Sequence, residues 1–161
     1  MSGTTSASRA RYHSSDNNFT FTWPPVPARQ FLAEPEAAFA ADSPTGLIAL
    51  DCADVLATPY PATTPTPLMR YTRLQAGEAL ATRFAAAGEI AYVIEGAGES
   101  RNGGDSIAWA KGDVFCFPGS AETRHAAAAD SLLFIATNEP LLAFEKLRPG
   151  EAVVEALHWP A

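Results

Sequence analysis

The stretch IAYVIEGAGESRNGGDSIAWAKGDVFCFPG, residues 90–119, decides the fold class. Short apolar or β-branched runs alternate here with glycine-bearing breaks, which is the pattern of short strands joined by tight turns. IAYVIEG (90–96) reads as a strand, followed by AGES and then RNGGD as turn material. The adjacent glycines of RNGGD suit a hairpin, because glycine adopts φ > 0 without steric cost. SIAWA (106–110) and VFCFPG (114–119) are the next strands, separated by the turn KGD. Working outward, LMRYTRL (68–74) precedes an AGEAL turn, and LLFIAT (132–137) follows a loop. Strands spaced by roughly 8–12 residues point to an all-β sandwich or small barrel.

The flanks differ in texture. Residues 57–67, ATPYPATTPTP, carry too many prolines for a helix or central strand and read as an extended connector. GLIAL (46–50) reads as a short buried strand, and FLAEPEAAFAA (31–41) as a short helix. Residues 140–147, PLLAFEKL, suit either a short strand or a helix. The first 30 residues are polar and then Pro-rich, yet Phe19, Phe21 and Trp23 alternate with threonines. Such an aromatic arm docks either across its own barrel or onto a partner chain. The expected organisation is an arm and helix over 1–45, a barrel over 46–147 and a tail over 148–161.

Composition narrows the function classes. The 161 residues hold 18 acidic and 11 basic side chains, a net charge of −7, which argues against nucleic-acid binding. No apolar run is long enough to cross a membrane as a helix. The N-terminus lacks the apolar core of a secretory signal, and two lone cysteines make no disulfide framework, so a reducing cytoplasm is expected. Three histidines are a thin supply for a metal enzyme.

Two fixed-gap patterns carry a family resemblance. Gly77, Thr82, Phe84, Glu89 and Gly96 stand at the spacings of the first cupin motif, and Gly112, Pro118 and Thr123 at those of the second. The chain thus resembles the cupin family, which implies a single jelly-roll-type β-barrel, all-β apart from the arm and a short helix. In that family the corresponding polar positions hold three histidines and a glutamate around a divalent metal. Here Thr82, Phe84 and Thr123 stand at the three histidine positions, and Glu89 alone keeps its type. Threonine is a poor ligand and phenylalanine has no donor atom, so no metal is expected in this chain.

His125 lies two residues past Thr123, on the same side of a strand. It is either a barrel-interior acid–base or binding group beside Glu89, or a buried histidine satisfied by a neighbour. Glu89 is expected to pair with Arg83 or Arg124. Glu89, His125, Tyr92 and Arg83 are the candidate pocket residues, and no catalytic residue is assigned.

The run GGDSIAWAKGDVFCFPG, with DSLLFIATNEPLLAFEKL, resembles gentisate-type ring-cleaving dioxygenases over roughly residues 45–147. Within that group the chain is similar to the small subunit of two-subunit hydroquinone 1,2-dioxygenases. That resemblance implies a cytoplasmic protein of aromatic catabolism, with Fe(II) held by a larger cupin subunit. This chain would stabilise and cap that partner, with Phe19, Phe21 and Trp23 at the interface. Two other readings are a metal-independent cupin epimerase or isomerase, and a stand-alone small-ligand-binding cupin.

Overall fold

The computed structural model describes residues 5–10, 13–16, 25–119, 121–150 and 154–161. The arm aromatics Phe19, Phe21 and Trp23 lie outside them. Along the chain come α1 (Ser6–Arg9), α2 (Ala33–Phe39), β1 (Gly46–Ala49), α3 (Ala53–Leu56), β2 (Leu68–Leu74), β3 (Ala79–Thr82) and β4 (Gly88–Glu95). Then follow β5 (Ala97–Asn102), β6 (Asp105–Ala110), β7 (Val114–Pro118), β8 (Thr123–Ala127), β9 (Ser131–Thr137), α4 (Glu139–Glu145) and β10 (Leu157–Trp159).

The strands form two antiparallel sheets, ordered β1-β2-β9-β4-β7-β10 and β3-β8-β5-β6. Alternation along each strand sends one face inward. In β4, Glu89, Ala91 and Val93 are buried while Ile90 and Tyr92 between them are exposed. In β7, Phe115 and Phe117 point into the core and pack edge to face at 5.7 Å. Trp109 of β6 stacks on Phe115 from the other sheet, with centroids 6.4 Å apart. Leu74, Leu133 and Ile135 complete the apolar half of the interior. Burying these side chains on both inner faces holds the sheets together.

Local chemistry sets the connections. The β5–β6 hairpin closes through the two residues Gly103 and Gly104, with Gly103 at φ 58°. This is the turn expected at RNGGD. Glycine serves a different purpose at Gly98, where a Cβ would lie 2.2 Å from the Ala126 carbonyl and 2.6 Å from the Trp109 ring. The bare backbone there is the floor on which Trp109 rests.

Several elements differ from expectation. AGES belongs to strand β5, AGEAL runs into strand β3, and the loop before LLFIAT contains β8. GLIAL forms a strand, but β1 is a half-exposed edge with Leu47 open to solvent, because among the described residues only β2 pairs with it. PLLAFEKL falls mostly within helix α4, which opens after Asn138 with Pro140 in its first turn. The tail joins the six-stranded sheet: Leu157, His158 and Trp159 pair with Cys116, Phe115 and Val114. His158 donates from Nε2 to Asp113 Oδ2 at 2.9 Å. Ala161 N–H reaches the other Asp113 oxygen at 2.9 Å. Asp113 therefore latches the tail, and the backbone N–H groups of Ala110 and Ala161 together with His158 lower its pKa. Among the described residues no helix is long and apolar enough to span a membrane.

Candidate functional site: a hydrogen-bonded barrel interior

The inner face of the four-stranded sheet is mostly polar, and strand register explains its order. Thr82, Thr123 and Asn102 stand in one cross-strand row, and His125 and Ser100 stand opposite each other in the next. The adjacent row brings Trp109 over Gly98. All of these side chains except Gly98 are buried. From the facing sheet, β4 aims Glu89 inward and β2 aims Arg70.

Two hydrogen-bonded chains fill this space. In the first, Asn102 Nδ2 donates to Thr123 Oγ1 at 2.8 Å and to the Pro118 carbonyl at 3.2 Å. Thr123 Oγ1 in turn donates to Glu89 Oε1 at 2.6 Å. In the second, Trp109 Nε1 donates to Ser100 Oγ at 2.8 Å. With that N–H donor supplied, Ser100 Oγ is set to donate to His125 Nδ1, 2.7 Å away. His125 then carries its proton on Nε2, 3.4 Å from Thr82 Oγ1. Thr82 Oγ1 closes the chain on the Thr123 carbonyl at 3.4 Å. The tautomer follows from the donor order, which is how a histidine surrounded by hydroxyls is assigned.

A third group lies next to Glu89. Arg70 forms an ion pair with Glu139 and donates from Nη1 to Thr137 Oγ1 at 3.0 Å. Thr137 Oγ1 donates to Glu139 Oε2 at 2.9 Å. The guanidinium lies 4.3 Å from the centre of the Phe84 ring, a cation–π contact that holds both side chains.

Burial governs the charges. Desolvation pushes the Glu89 carboxyl up to about 7, against the pull of the Thr123 hydroxyl and the Arg70 charge. Desolvation pushes the His125 imidazole down to about 4. At neutral pH His125 is uncharged and serves as a hydrogen-bond relay, while Glu89 sits near its titration midpoint.

The frame positions therefore converge in space. Thr82 faces Thr123, Thr123 bonds Glu89, and Phe84 lies under the Arg70 next to Glu89. The donor set does not fit a transition-metal ion. Phe84 offers no donor, both threonine hydroxyls are engaged, and His125 directs its nitrogens at Ser100 and Thr82. No group of three or more His, Cys, Asp or Glu able to hold a metal occurs among the described residues.

The other expected pocket residues lie elsewhere. Tyr92 faces outward from β4, about half exposed, because it is one residue out of phase with Ala91 and Val93. Arg83 is exposed between the inward-facing Thr82 and Phe84. Glu89 pairs with neither Arg83 nor Arg124: its partner is the Thr123 hydroxyl, with Arg70 the influential cation. Glu89 and His125 are not bonded to each other. They belong to separate chains that meet only through Thr123. Ser100, Asn102 and Arg70 were not singled out in the sequence. Ser100 and Asn102 alternate with exposed Arg101, a period-2 signal inside a segment that otherwise reads as turn.

Two inward-facing antiparallel sheets with this order of strands make the chain a single cupin-type β-sandwich domain. No protein-family model matches the chain, and no curated protein does. Solved structures do. Salicylate 1,2-dioxygenase from Pseudoaminobacter salicylatoxidans, in a variant form complexed with gentisate, is 27% identical with a TM-score of 0.53. That match covers 64% of this chain and 28% of the dioxygenase. The same enzyme in its adducts with gentisate is 25% identical, with a TM-score of 0.53, over 72% of this chain and 31% of the other. A further variant gives 26% identity and a TM-score of 0.55, over 72% and 35%. The chain thus spans about a third of the length of these neighbours.

Proposed function

We propose that this chain is a cupin subunit of a hydroquinone 1,2-dioxygenase, without a metal of its own, that stabilises and caps a larger iron-binding cupin subunit. The observation that carries the reading is the filled interior. A fold shared with salicylate 1,2-dioxygenase has Thr82, Phe84 and Thr123 where the family frame calls for histidines, and those residues are bonded or packed to one another's neighbours. A barrel built this way supplies shape and stability, and the Fe(II) and O₂ chemistry belongs to the partner. The epimerase reading finds less support, because general acid–base catalysis needs a histidine within reach of its acid. His125 is instead fixed between Ser100 and Thr82 and is held neutral.

The test is expression of the chain alone and together with a larger cupin that keeps the His, His, Glu and His ligand set. The expected result is iron and ring cleavage only in the co-expressed sample. Stoichiometric iron together with ring cleavage in the isolated chain would overturn the reading.

A further inference from the structure

The outer face of the six-stranded sheet carries two unbroken apolar rows. One runs through Tyr71, Phe134, Tyr92, Val114 and Trp159, each in register with the next across five strands. The second runs parallel to it through Ala136, Ile90, Cys116 and Leu157. No charge interrupts either row. Ile90 is 57% exposed, Trp159 51%, Leu157 46% and Tyr92 45%, so the face is open along its β4 and β10 strands. Ala136, Ile90 and Cys116 of that row line a cavity of about 430 Å³, together with Thr66, Pro67, Val154 and Glu89.

We infer that this face is where the chain packs against the larger subunit, sheet on sheet, with one apolar side chain of the partner seated in the cavity. The inference rests on the function proposed above. Helix α2 packs on the β1–β2 end, its Phe39 ring 6.1 Å from that of Tyr71, so the open part of the face spans β9, β4, β7 and β10, ~14 Å across at ~4.8 Å strand spacing and ~23 Å along its longest strands. That is a flat patch of roughly 300 Å², within the size range of exposed apolar patches that carry a function. An apolar patch of that extent on a soluble domain marks an interaction site. Facing sheets pack ~10 Å apart at a shallow angle when both inner faces are uncharged.

Charge and length choose the occupant. A second copy would bring together two chains that each carry −7, and an anionic lipid surface would repel the same charge. The solved neighbours point the other way. In them the matched unit is about a third of a longer chain, so a domain of this kind is there accompanied by a larger remainder. The partner fitted to this face is the counterpart of that remainder, a larger cupin polypeptide presenting its own uncharged sheet face.

The experiment compares the full-length wild-type chain with Ile90→Lys and Trp159→Glu, and with Asp105→Lys in the distant β5–β6 hairpin as control. Each is co-expressed with the larger cupin bearing the intact ligand set, and binding is measured by titration after thermal unfolding shows that the variants fold. The expected result is a loss of binding of about 30-fold or more for the two face variants, and none for the control. Wild-type co-elution with unchanged binding of both face variants would overturn this inference and leave the dioxygenase reading standing. Absence of wild-type co-elution would instead overturn that reading, and this inference with it. A homodimer of the chain alone that the face variants dissociate would make a second copy the occupant. Vesicle binding lost in the same variants would make it a lipid surface, and either result also overturns the inference.

Discussion

Replacing Glu89 with glutamine should stabilise the protein in a strongly pH-dependent way. Folding raises the Glu89 pKa from 4.5 to about 7, chiefly through desolvation of the charged form. Between those two values the folded state holds a proton that the unfolded state has released. The wild-type protein therefore loses stability from this residue as pH rises from 4.5 towards 7, and carries the full penalty above 7. One pKa unit is worth about 1.4 kcal/mol, so the accumulated penalty is about 3 kcal/mol. Glu89→Gln stays neutral throughout and its amide oxygen can still accept the Thr123 hydroxyl. Its stability should exceed the wild type by about 1 kcal/mol at pH 5 and by about 3 kcal/mol at pH 8. Urea unfolding followed by tryptophan fluorescence, repeated at pH 5, 6, 7 and 8, measures the difference. Subtracting one protein from the other removes every other titrating group. A difference that does not change with pH would refute the claim that desolvation of Glu89 outweighs the Thr123 hydrogen bond and the Arg70 charge.

His125 contributes with the opposite sign. Burial lowers its pKa from 6.5 to about 4, so the unfolded state takes up a proton first and stability falls as pH drops below 6.5. The two contributions oppose each other between pH 4.5 and 6.5, and Glu89→Gln should unmask a decline of about 3 kcal/mol on acidification from 6.5 to 4, read by the same unfolding assay extended down to pH 4. Ser100→Ala leaves Trp109 Nε1 and His125 Nδ1 buried without their shared partner, and should lower unfolding free energy by about 2–4 kcal/mol in urea. Gly98→Val drives its side chain into the Ala126 carbonyl and the Trp109 ring, so the variant should be recovered unfolded or with the near-ultraviolet tryptophan signal lost. Asp113→Asn weakens the latch on His158 and Ala161, and should cost about 1 kcal/mol while speeding amide exchange in residues 157–161 ahead of the sheet core.

The sequence by itself determined the parts of the fold whose chemistry is local. Strands β4, β6 and β7 were legible because apolar side chains are buried along them beside glycine-bearing turns, and β2 and β9 because each is a short run of mostly apolar or β-branched residues. The Gly103–Gly104 hairpin was legible for the same reason, since a two-residue turn answers only to its own backbone. Strands β3, β5 and β8 were not. They line the polar half of the interior with Thr82, Ser100, Asn102, Thr123 and His125, so the apolar alternation that signals a strand is missing from ALAT, AGESRN and TRHAA.

The site divides along the same line. The positions of Thr82, Phe84, Glu89 and Thr123 could be read from spacing, since fixed gaps within two motifs fall on one inner face. What those residues do there was decided only by tertiary structure. The partners of Glu89 and His125 lie 34 and 25 residues away in the chain, on strands brought alongside by sheet register. Charge matching along the sequence favoured Arg83 and Arg124 for Glu89, but both follow an inward-facing residue and so point outward. The same alternation placed Tyr92 on the outer face, in a row of apolar side chains contributed by five strands. No single segment shows that row, because each strand supplies only one residue to it.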